Sequence, residues 1–170
     1  VQAGTEETDS DFIRKHVTNP ACKVHPEAYL LSLPASPHFA AAQEGKSIKR
    51  ENIVIPATTN KLIIETAGGL MSPLHKNYLN IDLVKQLSLP VILVSNDYLG
   101  SINHTLLSVE ALQSRNIPVS GIVFSGKEVS ASRKFILEHT GLREILSIPA
   151  FEQIDAKQIA AFTHQISLTI

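Results

Sequence analysis

The chain has 170 residues, of which 44% are hydrophobic and 18% charged, with 15 basic residues against 16 acidic and a net charge of -1. A chain of this length and composition buries a sizeable core as one domain, residues 1–170, which excludes a disordered polymer. The near-neutral balance without a basic block excludes a nucleic-acid groove, and no apolar run approaches the roughly 20 residues of a membrane helix. A single cysteine, Cys22, excludes an internal disulfide framework and points to a reducing cytoplasm.

Val1 to Gly4 reads as the tail of a strand, broken by Gly4. The acid-rich run Thr5-Glu6-Glu7-Thr8-Asp9-Ser10-Asp11 follows. Thr8 with Asp11 three residues on, or Ser10 ahead of Phe12 and Ile13, can open a helix to about Val17. Acids there suit the positive end of the helix macrodipole whether or not they bind anything. Residues 18–37 carry Pro20, Pro26, Pro34 and Pro37 and read as irregular connection. Ser36-Pro37-His38 then leads a short helix to Glu44, stopped by Gly45. The seven histidines show no i,i+3 or i,i+4 pair, so zinc spacing is absent and His38 reads as a first-turn residue.

Residues 47–60 fit a loop or a short strand. Leu62-Ile63-Ile64-Glu65 reads as a buried strand that delivers one carboxylate to a small-residue turn, Thr66-Ala67-Gly68-Gly69. Ile81 to Leu87 has helical spacing. Val91-Ile92-Leu93-Val94-Ser95 lacks polar alternation and predicts a parallel strand buried on both faces. Gly100 allows a tight turn, and Ser101 is a good N-cap for a helix from Ile102 to about Arg115. Free N–H groups at that start make an anion site. Asn103-His104-Thr105 fits the N-glycosylation pattern and is read as chance. Val119 to Phe124 predicts a further strand, Ser130 to His139 a helix closed by Gly141, and Leu142 to Ile148 a last short strand. Asp155 to about Ile166 predicts an amphipathic closing helix. Alternating apolar strands and helices define an α/β fold with a mainly parallel sheet and helices on both faces.

Ligands of such folds sit beyond the carboxyl ends of the strands. Those ends carry Glu65 with Gly68 and Gly69, the segment Asn96 to Asn103, Ser125-Gly126, and Pro149-Ala150-Phe151, while the front of the chain supplies Asp9 and Asp11. Two carboxylates near glycine turns suit Mg²⁺ held with substrate phosphates. No Ser-His-Asp or Cys-His signature is visible. Nor does a G-x-x-x-x-G-K-[ST] loop occur in these residues.

Several blocks resemble dethiobiotin synthetase, in order and with compatible gaps from Val1 to about Phe151. They are Val1-Gln2-Ala3-Gly4, Ser36-Pro37-His38, Gln43-Glu44-Gly45, Glu65-x-Ala67-Gly68-Gly69-Leu70, Pro73-Leu74 and Pro90 to Val94. The most specific is Leu99-Gly100-Ser101-Ile102-Asn103-His104-Thr105-Leu106-Leu107. The resemblance implies a P-loop NTPase-like three-layer α/β domain, usually a homodimer. It implies an ATP- and Mg²⁺-dependent closure of a ureido ring on 7,8-diaminopelargonic acid with CO₂, through a phosphorylated carbamate. Glu65 and the first-loop aspartate would be metal-linked; Asp9 fits better, through Thr8-Asp9 with Ile13 four residues on, and Asp11 is the runner-up. Asp9 and the stretch Glu65, Thr66, Ala67 and Gly68 would lie along the nucleotide, with Ser125, Gly126, Pro149, Ala150 and Phe151 flanking adenine. Ala3 would lie near the substrate. Leu99, Gly100, Ser101, Ile102 and Asn103 would receive its carboxylate from the neighbouring subunit.

Three departures bear on that expectation. Ser125 stands where the family usually has asparagine, so its shorter hydroxyl changes how the base is read. Thr66 replaces the usual glycine and restricts the turn. The family's first strand, P-loop, first helix and catalytic lysine are expected ahead of Val1. These residues then cover about the last four-fifths of the family domain, carry no catalytic residue of their own, and are expected to lack normal activity alone. The alternatives are a non-catalytic binding module on the same scaffold and a related ATP-dependent amidoligase.

Overall fold

In the computed structural model, which describes residues 1–4 and 6–166, the chain divides into two units, Val1–Leu83 and Val84–Ile170. Thr5 and residues 167–170 lie outside the described residues.

In the first unit, Thr8 settles where the first helix starts. Its hydroxyl accepts from the Asp11 backbone N–H at 3.1 Å, which satisfies one of the orphan donors of α1, Asp9–His16. The helix therefore opens from Thr8 and not from Ser10. Gln2–Ala3 forms β1, which ends at Gly4 as expected, and pairs in parallel with β2, Leu30–Leu31. That second strand is hidden in the proline-rich stretch, too short to show a period. Pro37–Gln43 forms α2, with Pro37 in the first turn and Gly45 in the left-handed region just past its end. A 3₁₀ turn, Arg50–Asn52, follows. The hairpin β3, Pro73–His75, with β4, Tyr78–Leu79, then leads into α3, Asn80–Leu87. Leu31, Ala40, Ala41, Ile48, Leu74, Tyr78, Ile81 and Leu83 are the buried hydrophobic residues described in this unit.

Leu62 to Glu65 does not form the expected strand. No described residue pairs with it, and Ile63 is 91% exposed. A β-branched apolar run favours extended backbone, but a strand exists only through hydrogen bonds to a neighbour.

The second unit holds a three-stranded parallel sheet with β6, Val119–Gly126, between β5, Val91–Asn96, and β7, Glu144–Pro149. The register aligns Ser95, Phe124 and Ser147 in one row and Asn96, Ser125 and Ile148 in the next. The helices α4, Ser101–Gln113, and α5, Ser130–Thr140, cover one face. Ile122, Phe124 and Ile136 form the buried cluster there, with Leu93, Ile102, Leu137 and Leu142 packed around it. Gly141 ends α5 in the left-handed conformation that glycine adopts without a Cβ clash. A buried hydroxyl pair, Ser95 Oγ to Thr105 Oγ1 at 2.7 Å, ties β5 to α4. Strand β5 is not buried on both faces as its sequence suggests, because Val94 is 65% exposed. It lies at the edge of this sheet, and both packed helices sit on the opposite face. The closing helix α6, Ala156–Gln165, is capped by Asp155, which accepts from Gln158 N–H at 2.8 Å. The α/β class with parallel strands follows from these pairings.

Candidate functional site

In the first unit the three candidate carboxylates separate into two kinds. Asp11 is absorbed by its own helix. One oxygen accepts from Thr8 Oγ1 at 2.8 Å and the other from Arg14 Nη1 at 2.9 Å. These contacts, led by the Thr8 hydrogen bond, hold its carboxyl below the usual range. Asp9, the first residue of α1, points to solvent and takes no hydrogen bond or ion pair among the described residues. Glu65 reaches solvent too, yet its carboxyl is pushed above the ordinary glutamate range. Partial burial is the larger cause, and the negative charge of Asp9 is the other. The structure thus brings Asp9 close enough for its charge to act on Glu65. Such a pair fits a divalent ion, which removes the repulsion that raises Glu65. Among the described residues no group of three or more His, Cys, Asp or Glu side chains could hold a metal.

The turn after Glu65 is held from below by a residue the sequence did not single out. The amide of Asn80, fully buried, donates to the carbonyls of Ala67 at 2.8 Å and Gly69 at 3.0 Å. Backbone bonds from Asn80 to Ser72 and from Ile81 to Leu70 close the same turn. Buried amides of this kind need their partners, so the Asn80 hydrogen bonds help to fix the turn. Thr66 adds a further tie: its hydroxyl donates to the Gly68 carbonyl at 3.0 Å. Gly68 has a φ of +82°, and a Cβ there would meet Ser72 Oγ at 2.8 Å. Ala3 sits in β1, opposite Leu31.

In the second unit the start of α4 differs from the expected cap. Gly100, at φ 104°, occupies the N-cap in the left-handed region, and Ser101 is a buried first-turn residue. The glycine has no side chain with which to cap, so the first-turn donors stay open. Ser101 N–H donates to Tyr98 O at 3.0 Å, while those of Ile102 and Asn103 find no acceptor among the described residues. Two open donors at the positive end of a 13-residue helix make an anion site. Leu99 beside it is fully exposed.

The ends of β6 and β7 are adjacent by register, with Ser125 opposite Ile148 and Gly126 opposite Pro149. Gly126 has a φ of +99°, and a Cβ there would collide with the Asn96 amide oxygen at 2.5 Å. Phe151 packs edge-on against Phe162 of α6 at 5.7 Å between centroids, which holds the Pro149-Ala150-Phe151 segment to the closing helix. Ser125 and Gly126 therefore lie beside Ile148 and Pro149, with Ala150 and Phe151 next in the chain. Asn96, whose amide oxygen lies close to Gly126, borders the same strand ends.

The sequence model of the AAA domain family matches residues 1–158. The chain is 47% identical over 163 residues to the ATP-dependent dethiobiotin synthetase BioD of Cytophaga hutchinsonii, covering 95% of this chain and 79% of that protein. The protein of the same name from Paramagnetospirillum magneticum is 38% identical over 94% of this chain and 78% of its own length. That of Rhodopseudomonas palustris strain BisB5 is 41% identical over 95% and 76%. Identity at this level across nearly the whole chain, with the family model over residues 1–158, places the chain in the dethiobiotin synthetase family of AAA-type P-loop domains.

Proposed function

We propose that this protein is an ATP-dependent dethiobiotin synthetase, which closes the ureido ring on 7,8-diaminopelargonic acid with CO₂. Identity to synthetases of that name across nearly the whole chain is the observation that carries this reading. A single family match spanning residues 1–158 also supports reading both units as parts of one domain.

Asp9 and Glu65 are the residues that would hold Mg²⁺; Asp11, engaged by Thr8 and Arg14, serves the helix instead. Held by these two carboxylates, Mg²⁺ would supply positive charge against the phosphate charge of the nucleotide. Glu65 to Gly68 lines the nucleotide, with the Asn80 anchor fixing that turn's shape. Ser125, Gly126, Pro149, Ala150 and Phe151 flank the base. The open N–H groups of Ile102 and Asn103 receive the substrate carboxylate, with Leu99, Gly100 and Ser101 around it; Ala3 is a separate candidate for contact with the substrate.

The test is direct. The complete gene product, supplied with diaminopelargonate, bicarbonate, ATP and Mg²⁺, is expected to form dethiobiotin with one ADP per product. It should release no ADP when the diamine is withheld. ADP release without the diamine, or no product at all, would overturn the reading.

Fully exposed Leu99, beside the substrate-carboxylate site, supports a homodimer in which this residue meets the partner subunit. Leu99→Asp is expected to shift the protein toward monomer in sedimentation and to raise KM for the diamine more than KM for ATP. A dimer of unchanged affinity would remove Leu99 from the interface.

A further inference from the structure

Arg133 of α5 is a buried cation that none of the site assignments uses. Its side chain is 7% exposed and faces Asp97, which is 2% exposed. Nε donates to Asp97 Oδ2 at 2.6 Å, Nη2 contacts the same oxygen, and Nη1 donates to Ser147 Oγ. The guanidinium carbon lies 5.2 Å from the centroid of the Phe124 ring. One planar group thus touches residues of all three strand ends. Asp97 follows the last residue of β5, Phe124 is two residues before the end of β6, and Ser147 is two residues before the end of β7. The Asp97 backbone N–H adds a bond to the Ser125 carbonyl at 2.9 Å.

A buried ion pair is weak ground for stability, because desolvating both charges offsets their attraction. Its geometric consequence is larger. Asp97 is two residues ahead of Leu99, so whatever holds Asp97 sets where the open helix start of α4 begins. Ser147 is two residues ahead of Pro149, and Phe124 adjoins Ser125. A guanidinium can serve here because its rigid fork addresses two acceptors at once while its face lies on an aromatic ring. An ammonium offers one compact charge and cannot span both.

We propose that Arg133 is the positioning residue of this site, clamping Asp97 to Ser147 across Phe124 so that the Leu99–Asn103 segment keeps a fixed place relative to the ends of β6 and β7. This rests on the functional reading above, in which those segments receive the substrate carboxylate and flank the base. The clamp itself stands apart from that reading and is tested separately.

Four variants of the complete gene product serve: Arg133→Met, Arg133→Lys, Asp97→Asn and Ser147→Ala. Amide hydrogen exchange should quicken at Tyr98 to Asn103 and at Gly126 in Arg133→Met, with Ser147→Ala showing a smaller change at the same amides. In steady-state assays, Arg133→Met and Asp97→Asn should raise KM for the diamine at least about tenfold, since displacing a binding group by an ångström has effects of that order. Arg133→Lys should recover part of the loss. A merely structural role lowers the melting temperature but leaves KM of the folded enzyme and the exchange at Tyr98 to Asn103 unchanged, and that result overturns the proposal. Where Arg133→Met does not fold, Ser147→Ala decides: unchanged exchange and unchanged KM overturn it. A wild-type protein that makes no dethiobiotin overturns the functional reading alone, because the exchange experiment still reports whether the clamp holds the segment.

Discussion

Glu65→Gln is expected to lower turnover on the order of 100-fold, the scale on which loss of a charged group at a phosphoryl-transfer centre acts. The same change should leave the metal-free protein as stable as before or slightly more so. The sign follows from the raised carboxyl of Glu65, which burial and the Asp9 charge displace upward. A carboxyl whose folded-state pKa lies above its unfolded value is costly to ionise in the fold. Stability therefore falls as pH rises from about 4.3, the ordinary glutamate value, through the raised value. Above the raised value the wild type bears that cost in full and the glutamine variant does not. Below the ordinary value both side chains are neutral and the two proteins converge. Mg²⁺ affinity should run the opposite way, weakening as acid protonates Glu65 in the same window. Asp9→Asn removes the repulsion and should move this dependence toward lower pH. Thermal melts in a chelator from pH 4 to 7, with Mg²⁺ titrations at each pH, check both signs. A Glu65→Gln protein that melts lower at pH 7 while keeping its turnover would sink this account.

Phe124→Ala is expected to produce the largest loss of stability. Phe124 is fully buried toward the carboxyl end of the middle strand, against Ile122 and Ile136. Emptying such a site costs about 3–5 kcal/mol, from lost apolar transfer and from the cavity left behind. Against a typical total of about 5–15 kcal/mol, that is a melting temperature lowered by roughly 10 °C in a chain of this size. The ring also underlies the Arg133 guanidinium, so its removal leaves a buried cation without its aromatic floor. Phe124→Leu, which keeps most of the volume, should cost roughly 1–2 kcal/mol. Urea or thermal unfolding reads both. Equal melting temperatures for the alanine and leucine variants would contradict the cavity argument.

Much of the candidate site was legible because its signals are local. Thr8 with Asp11 marks a cap that closes within three residues, and Gly100, Gly141 and Asp155 mark helix ends within a turn. Each depends on a side chain meeting backbone a few positions away, which spacing alone reveals. The strands Val91–Asn96, Val119–Gly126 and Glu144–Pro149 were legible as apolar runs between such signals. The two-residue β2 and the hairpin at Pro73 were not, because neither is long enough to show alternation. Ser101 was misplaced by one position: its residue type suits a cap, but the turn needed the left-handed backbone that Gly100 supplies.

The sequence by itself determined the α/β class, the family, and the carboxylates and glycine turns set out along the chain, since these rest on residue type and short spacing. Tertiary structure decided which of them can work together. It separated Asp9 from Asp11 by giving Asp11 to Thr8 and Arg14, and it left Leu62 to Glu65 without a strand partner. It set Asn80 beneath a turn 11 to 13 residues earlier, and it joined Arg133 to Asp97 across 36 residues and to Ser147 across 14. Such contacts are made by the packing of sheet and helix, where neighbours in space are strangers in sequence, and no local pattern encodes them.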